Sequence, residues 1–431
     1  MSRLDALAAL MRAAVLGGAP SLLAAAERRR PELASGPVVT RDEYRANFAA
    51  WNDLGLDLPA ARHLAMGEAA GTATGHPQFS FGLSTGTLGE PGVFITSARD
   101  RSRWLGTFFA RVVPPELMIG TRAAVLLRHN NPLYHQTKGR TVFFGLADGA
   151  EAVAAGLGAL RPQILVGPPF ALRRIVESQA FRQAPWAPRL VIVGGEPLWP
   201  EDEAVLRDGL GGAPVRQVYQ AAEGFFGASC RHGRLHLNTD VVRVDAVRLS
   251  GVSGRFVPVV TDLVRDGPQR IVRYRTDDLA VERPDCDPRA CPCGSALPAV
   301  AGIEGRLADV LVLPPQSLLF PGEVHAAVAP ELGGAPFRVV QEAVDGLALE
   351  VPAGLPAAAG RRAAESLGAL AARDGPGLVR GVAVRTLVLG DLAGKFRRVV
   401  GPIQPDGDGL RRRLQEPTSW ATSARKAAPG R

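Results

Sequence analysis

Residues 190–197 read Leu190-Val191-Ile192-Val193-Gly194-Gly195-Glu196-Pro197. A short apolar run rich in branched side chains ends abruptly in glycine, acid and proline. That is the pattern of a strand running into a turn. Residues 123–127 and 163–166 repeat it, and Leu165-Val166 leads into Gly167-Pro168-Pro169. Helical stretches separate the three runs. This rhythm predicts an α/β architecture across residues 76–310. Open α/β sheets bind ligands in the crevice beyond their strand ends, so the turns at 167–169 and 194–197 are candidate contacts. Each also has the shape of an ordinary strand-to-helix turn.

Residues 1–75 read as helical, and Thr40-Arg41-Asp42-Glu43 has the form of a capping box that opens a helix. Residues 235–280 carry strand-like segments around Gly251 and Gly254, which predicts antiparallel structure. Pro314-Pro315 marks a hinge. Residues 311–400 give the helix and strand signals of a small α+β domain, and 401–431 read as a flexible tail. A chain of 431 residues exceeds what one core supports, so a large and a small domain are expected.

Hydrophobic residues make up 46% and charged residues 21%, the balance of a globular enzyme and not of a disordered chain. No apolar run reaches the ~18 residues of a membrane span. Residues 4–23 are apolar but interrupted by Asp5, Arg12, Gly17, Gly18 and Pro20, so they read as an amphipathic helix, not a leader. Cytoplasmic residence without membrane insertion is the expectation. The net charge of +8 would suit nucleic acid. The basic residues are spread along the chain, however, and no nucleic-acid motif accompanies them. Small polyanions such as ATP are the expected partners. Of 50 basic residues only Lys138, Lys395 and Lys426 are lysines. A retained lysine is informative, because an ammonium and a guanidinium do different work.

Residues 79–91 read FSFGLSTGTLGEP, and Ser84-Thr85-Gly86-Thr87-Leu88-Gly89 combines hydroxyls with glycines. Such a loop lets backbone N–H groups approach an oxyanion closely. It lacks the ending of a Walker loop, and a tight turn between strands would look similar. Four further segments follow in order. They are Gln217-Val218-Tyr219-Gln220-Ala221-Ala222-Glu223-Gly224, Arg273-Tyr274-Arg275-Thr276-Asp277-Asp278-Leu279, GIEGRLADVL over 302–311, and Leu392-Ala393-Gly394-Lys395-Phe396-Arg397-Arg398-Val399.

Taken together over residues 40–400, these segments resemble the motifs of the adenylate-forming (acyl-AMP) enzymes, and most of all the phenylacetate–CoA ligase-like branch with its coenzyme F390 synthetase-related proteins. The resemblance implies a large N-terminal domain with mixed sheets and a small mobile C-terminal domain. It assigns Ser84, Thr85, Gly86, Thr87 and Gly89 to the ATP phosphates, although Glu90 stands where many family loops carry lysine. It sets Gly195 and Glu196 beside adenine and makes Tyr219 an aromatic wall. It gives Glu223 to magnesium, a cation that prefers one or two carboxylates plus phosphate oxygens. The motif's usual threonine is Ala222 here. Asp278 would accept hydrogen bonds from the ribose hydroxyls, since a carboxylate offers paired acceptors. Arg306 would reach the ribose, with a hinge near Ala308-Asp309. Lys395 would stabilise charge building at the α-phosphorus.

Three of the four cysteines fall in Cys286-x4-Cys291-Pro292-Cys293, with Cys230, His232 and His236 upstream. Clustered Cys and His suggest zinc. Cys230, His236, Cys291 and Cys293 form one tetrahedral set, with Cys286 or His232 as substitutes, and a closed structural site is the expected kind.

The implied activity is ATP-dependent activation of a carboxylic acid, with transfer to a thiol of CoA or of an acyl carrier protein's phosphopantetheine. Branch analogy favours an aryl or arylacetic acid, and Phe143, Phe144, His129, Tyr134 and Tyr219 are the candidate wall of its pocket. Capture of the acyl-AMP by an amine stays open as an alternative. So does a non-catalytic nucleotide-binding role, suggested by the missing loop lysine and by Ala222. Oligomeric state is open, with a homodimer among the options.

Overall fold

A computed structural model describes residues 36–72, 75–84, 91–128, 140–283, 291–314, 317–375, 379–392, 394–401, 410 and 413–419. The three branched runs of the sequence become neighbouring parallel strands, Ala123–Leu127, Ile164–Gly167 and Leu190–Gly194. Thr141–Gly145 flanks them on one side and Val215–Ala221 on the other, both parallel. Gly224–Ser229, Leu235–Leu237 and Ala299–Val300 continue the sheet antiparallel, giving eight strands. The class is mixed α/β. Helices Ala150–Leu160, Pro169–Val176 and Pro200–Gly209 cover one face and build a core with Leu146, Leu157, Leu172 and Leu206. Helix Ala98–Val112 covers the other face with Trp104, Phe108 and Phe109.

A second sheet is antiparallel, in the order Gly302–Arg306, Asp278–Val281, Arg255–Asp262, Val242–Val247 and Thr418–Ser419. Its last strand comes from the stretch expected as a flexible tail, so that expectation is corrected for these residues. Leu410 is buried, and Leu414 packs into the same cluster and bridges to Leu249. Burying a leucine is worth about 1.5–3 kcal/mol, enough to anchor a segment whose overall composition is basic.

The C-terminal unit has its own core. Phe337, Val339, Leu347, Leu349 and Leu367 pack between helices Pro321–Val328 and Ala357–Ala371 and a four-stranded sheet. The sheet runs Gly381–Thr386, Gly346–Val351, Arg338–Ala343 and Val399–Val400. Helix Arg41–Ala46 opens with the capping box: Thr40 N donates to Glu43 Oε2 at 2.8 Å and Glu43 N to Thr40 Oγ1 at 3.3 Å. Such caps contribute about 1 kcal/mol. Among the described residues no helix is long and apolar enough to cross a membrane.

Candidate active site

A cavity of about 570 Å³ runs along one face of the central sheet to the C-terminal ends of its parallel strands, where the large body meets the C-terminal unit. Ser84, Gly195, Glu196, Tyr219, Glu223, Asp278, Arg306 and Lys395 all line it. Thr85, Gly86, Thr87, Gly89 and His129 lie outside the described residues. The base of their loop is pinned: Ser84 N donates to Gly92 O at 2.8 Å, and Gly92 N donates to Ser84 Oγ at 2.7 Å.

The two glycines that end strand Leu190–Gly194 have separate causes. A Cβ on Gly194 would meet Val218 Cγ2 at 2.6 Å, and Gly195 holds φ at +81°. L residues other than Gly, Asn and Asp rarely adopt that left-handed conformation. The turn delivers Glu196 into the cavity, where its carboxylate pairs with Arg128 and accepts from Phe396 N at 3.1 Å. Both side chains of the Arg128–Glu196 pair are almost fully buried. Burial pushes the Glu196 carboxyl above its usual range, against the pull of Arg128 and Lys395. Glu196 Oε2 and Arg128 Nε are buried without a hydrogen-bond partner among the described residues. Arg128 was not anticipated from sequence. Its signal is position, since it directly follows strand Ala123–Leu127 at the same sheet edge.

Sheet register brings the opposite wall together. Asp278 and Arg306 are directly paired across two antiparallel strands. Arg306 Nε donates to Asp278 Oδ1 at 3.1 Å, and the Tyr219 hydroxyl donates to Oδ2 at 2.9 Å. Burial, and then the charge of Asp278, hold the Tyr219 hydroxyl protonated well above its ordinary range. The preceding Asp277 sits at φ +59°. Aspartate tolerates that region because its short side chain bonds locally.

Glu223 occupies the two-residue turn between strands Val215–Ala221 and Gly224–Ser229. Arg265 anchors that turn by donating to Glu223 O at 2.8 Å. Burial, and then the charge of the Glu223 carboxylate, hold the Tyr274 hydroxyl protonated well above its ordinary range.

Lys395 arrives from the C-terminal unit. Desolvation, and then Arg306, lower its pKa to about 8, while Glu196 and Asp278 pull the other way. Asp309 ties the linking segment to the same end: its carboxylate accepts from Arg306 N at 2.8 Å and from Arg397 Nε at 2.7 Å.

One stretch of the lining is apolar. Trp104 and Phe108 face Val125, Phe143, Ile192 and Val218 of the sheet. Phe144 is not among the cavity-lining residues, which corrects its assignment to the substrate pocket. Side chains alternate along a strand. Phe143 therefore faces the cavity, while the Phe144 ring lies against Gly156 of helix Ala150–Leu160.

A separate cluster sits on the antiparallel flank of the central sheet. The ligating atoms of Cys230, His236, Cys291 and Cys293 lie within 4.8 Å of one another. The Cys230 and Cys291 sulfurs are 3.7 Å apart, and His236 Nε2 is 3.3 Å from Cys291 Sγ and 3.5 Å from Cys293 Sγ. His236 Nδ1 lies 2.7 Å from Leu297 O, which orients the ring. Cys286 lies outside the described residues.

No family model and no curated protein matches the chain. Solved structures do. A 2-hydroxyisobutyryl-CoA ligase in the postadenylation state with 2-HIB-AMP is similar over 87% of this chain and 82% of its own, at 20% identity and a TM-score of 0.59. The anthranilate CoA ligase AuaEII with anthranoyl-AMP is similar over 74% of this chain and 65% of its own, at 14% identity and a TM-score of 0.51. The fold is that of adenylate-forming enzymes.

Proposed function

We propose that this chain uses ATP to convert a carboxylic acid, aryl or arylacetic in kind, to its acyl-adenylate and passes the acyl group to a thiol. One observation carries the reading. Lys395, delivered by the C-terminal unit, shares a cavity with Glu223, Asp278 and Arg306 from three separate segments of the large body.

In the first half-reaction a carboxylate oxygen of the acid attacks the α-phosphorus of ATP. The bond to the β-phosphate oxygen breaks, and pyrophosphate leaves. Negative charge grows at the phosphorus, and the Lys395 ammonium stabilises it more than it stabilises the ground state. Asp278, oriented by Tyr219 and Arg306, retains acceptor capacity for a ribose hydroxyl, because a carboxylate offers about four lone-pair sites. Glu196 Oε2, without a hydrogen-bond partner among the described residues, suits a donor such as the adenine amino group. Glu223 would hold Mg²⁺, which supplies charge neutralisation on phosphate oxygens. The 84–89 loop is assigned to the β- and γ-phosphates.

The C-terminal unit then turns about the 306–312 region and withdraws Lys395. The thiol sulfur attacks the acyl carbon, AMP leaves with the bonding electrons, and the thiol proton passes to solvent. CoA and carrier-protein phosphopantetheine both satisfy this chemistry. The apolar wall of Trp104, Phe108 and Phe143 supports an aromatic acyl group.

The cysteine cluster fits structural zinc. Tetrahedral bonds of about 2.3 Å to sulfur and about 2.0–2.1 Å to nitrogen separate two sulfurs by about 3.7 Å and sulfur from nitrogen by about 3.5 Å. The observed 3.7, 3.3 and 3.5 Å agree. Purified protein should carry about one equivalent of zinc. Cys293→Ser should lose it along with thermal stability, and a metal-free protein whose stability is unchanged by that substitution would remove the assignment.

The activity is tested by acid-dependent ATP–pyrophosphate exchange over a panel of aryl and arylacetic acids. Exchange with none of them sinks the reading. Product analysis with CoA, a carrier protein and amines then separates thiol from amide transfer.

A further inference from the structure

We propose that Arg398 and His325 are positioning residues, which fasten the C-terminal unit to the large body in the one register that inserts Lys395. The inference rests on the adenylation reading above. Arg398 lies three residues beyond Lys395 and is only 4% exposed. Its Nη2 donates to both oxygens of Asp202 at 2.8 Å and lies 3.0 Å from Glu201 Oε1. Glu201 also meets His325 Nε2 at 2.8 Å, and the His325 ring stacks on Trp199 at 4.2 Å. Arg173 completes the network, donating to Asp202 Oδ1 at 2.9 Å and to Gly334 O at 2.7 Å. Phe396 stacks on Phe170 at 3.8 Å.

Each of these links except the Arg173–Asp202 pair crosses from helices Pro169–Val176 and Pro200–Gly209, or the turn before the latter, to the C-terminal unit. A buried ion network is a weak source of net stability, because desolvation offsets the attraction. It is a strict specifier of register, because a shift of an ångström or two leaves buried charges unpaired. Arg398 Nε and Nη1 have no hydrogen-bond partner among the described residues, although the guanidinium lies over the Phe337 ring at 5.2 Å. The interface is thus held at one edge of the guanidinium and can hydrate from the other as it opens. An apolar seam of the same area would lose more on separation. The network therefore defines the docked posture without making it permanent, as a two-posture cycle requires. Lys395 is at most ~11 Å of extended chain from Arg398, so displacing one displaces the other.

The test is Arg398→Met, which removes the guanidinium and leaves Asp202 paired with Arg173. His325→Ala is the second variant, should the first fold poorly. Acid-dependent pyrophosphate exchange should fall about tenfold or more, in proportion to the lost docked fraction. Acyl transfer from supplied acyl-AMP to the thiol should stay level or rise. A purely structural defect would lower both half-reactions together and overturn the proposal. A readout independent of activity is the emission of Trp199, isolated by difference against Trp199→Phe. It should shift to the red in Arg398→Met as the His325 stack opens. Unchanged exchange with unchanged Trp199 emission overturns the proposal. A shifted emission in a protein whose wild type exchanges with no acid supports the fastening and sinks only the adenylation reading.

Discussion

The two ends of the cavity are built in opposite ways. The charged end gathers Glu196, Glu223, Asp278, Arg306 and Lys395 from five segments spread over 200 residues of chain. The apolar end is nearly local, one helix with Trp104 and Phe108 laid over one face of the parallel sheet. A site assembled from remote segments is sensitive to how the units dock, and in the proposed function it is the part of the reaction every substrate shares that falls to it. A site made from one helix and one sheet face can change residue by residue without disturbing that chemistry. Under the proposed function the difference would separate two tasks, turnover at one end and choice of acid at the other.

Lys395→Ala strikes the charged end and should have the largest effect. Loss of a transition-state donor costs about 10²–10³-fold in rate. Pyrophosphate exchange should fall by that factor with the KM for the acid nearly unchanged. Exchange that survives the substitution would remove Lys395 from the mechanism and with it the contrast between the two ends.

Phe143→Ala strikes the apolar end. Removing one wall of a hydrophobic pocket alters discrimination by about 10–200-fold. Here kcat/KM for a preferred aryl acid should drop while the KM for ATP stays level. Phe144→Ala supplies the control: it should lower the melting temperature by opening space against Gly156 and leave the order of acids unchanged. Equal effects of the two substitutions on acid preference would erase the distinction between the faces of this strand.

These cases also mark what the sequence made legible. Strand Leu190–Gly194 and its turn were readable because close packing against Val218 and a left-handed φ both demand glycine at adjacent places. The partner of Glu196 was not readable. Arg128 is one arginine among many, and only the parallel register puts it across from that turn. The phase of Phe143 and Phe144 was hidden for a related reason, since a pair of aromatics does not say which faces the cavity. Arg398 and Asp202 stand 196 positions apart, so no local pattern couples them. The Cys and His cluster was legible as a set because so few residues of those types are present. The strand at Thr418–Ser419 was missed because basic composition masked two anchoring leucines.

The smallest effect should come from pH, and it tests whether the charged end works through an ammonium. Desolvation and the nearby Arg306 hold Lys395 at about 8. It is charged below that value and neutral above it, so adenylation that needs the charge declines as pH rises through 8. In the free enzyme, which kcat/KM reports, one further pH unit leaves about a tenth of the lysine charged. kcat/KM for ATP should therefore fall about tenfold per unit on the alkaline side. Bound polyphosphate favours the charged form, so the same limb in kcat should lie at higher pH. Lys395→Arg keeps a cation at all accessible pH values, since a guanidinium does not titrate below about 12. Whatever activity it retains should be flat across the alkaline range. A limb that persists unchanged in Lys395→Arg would assign the titration to another group and leave the ammonium without a demonstrated part in the chemistry.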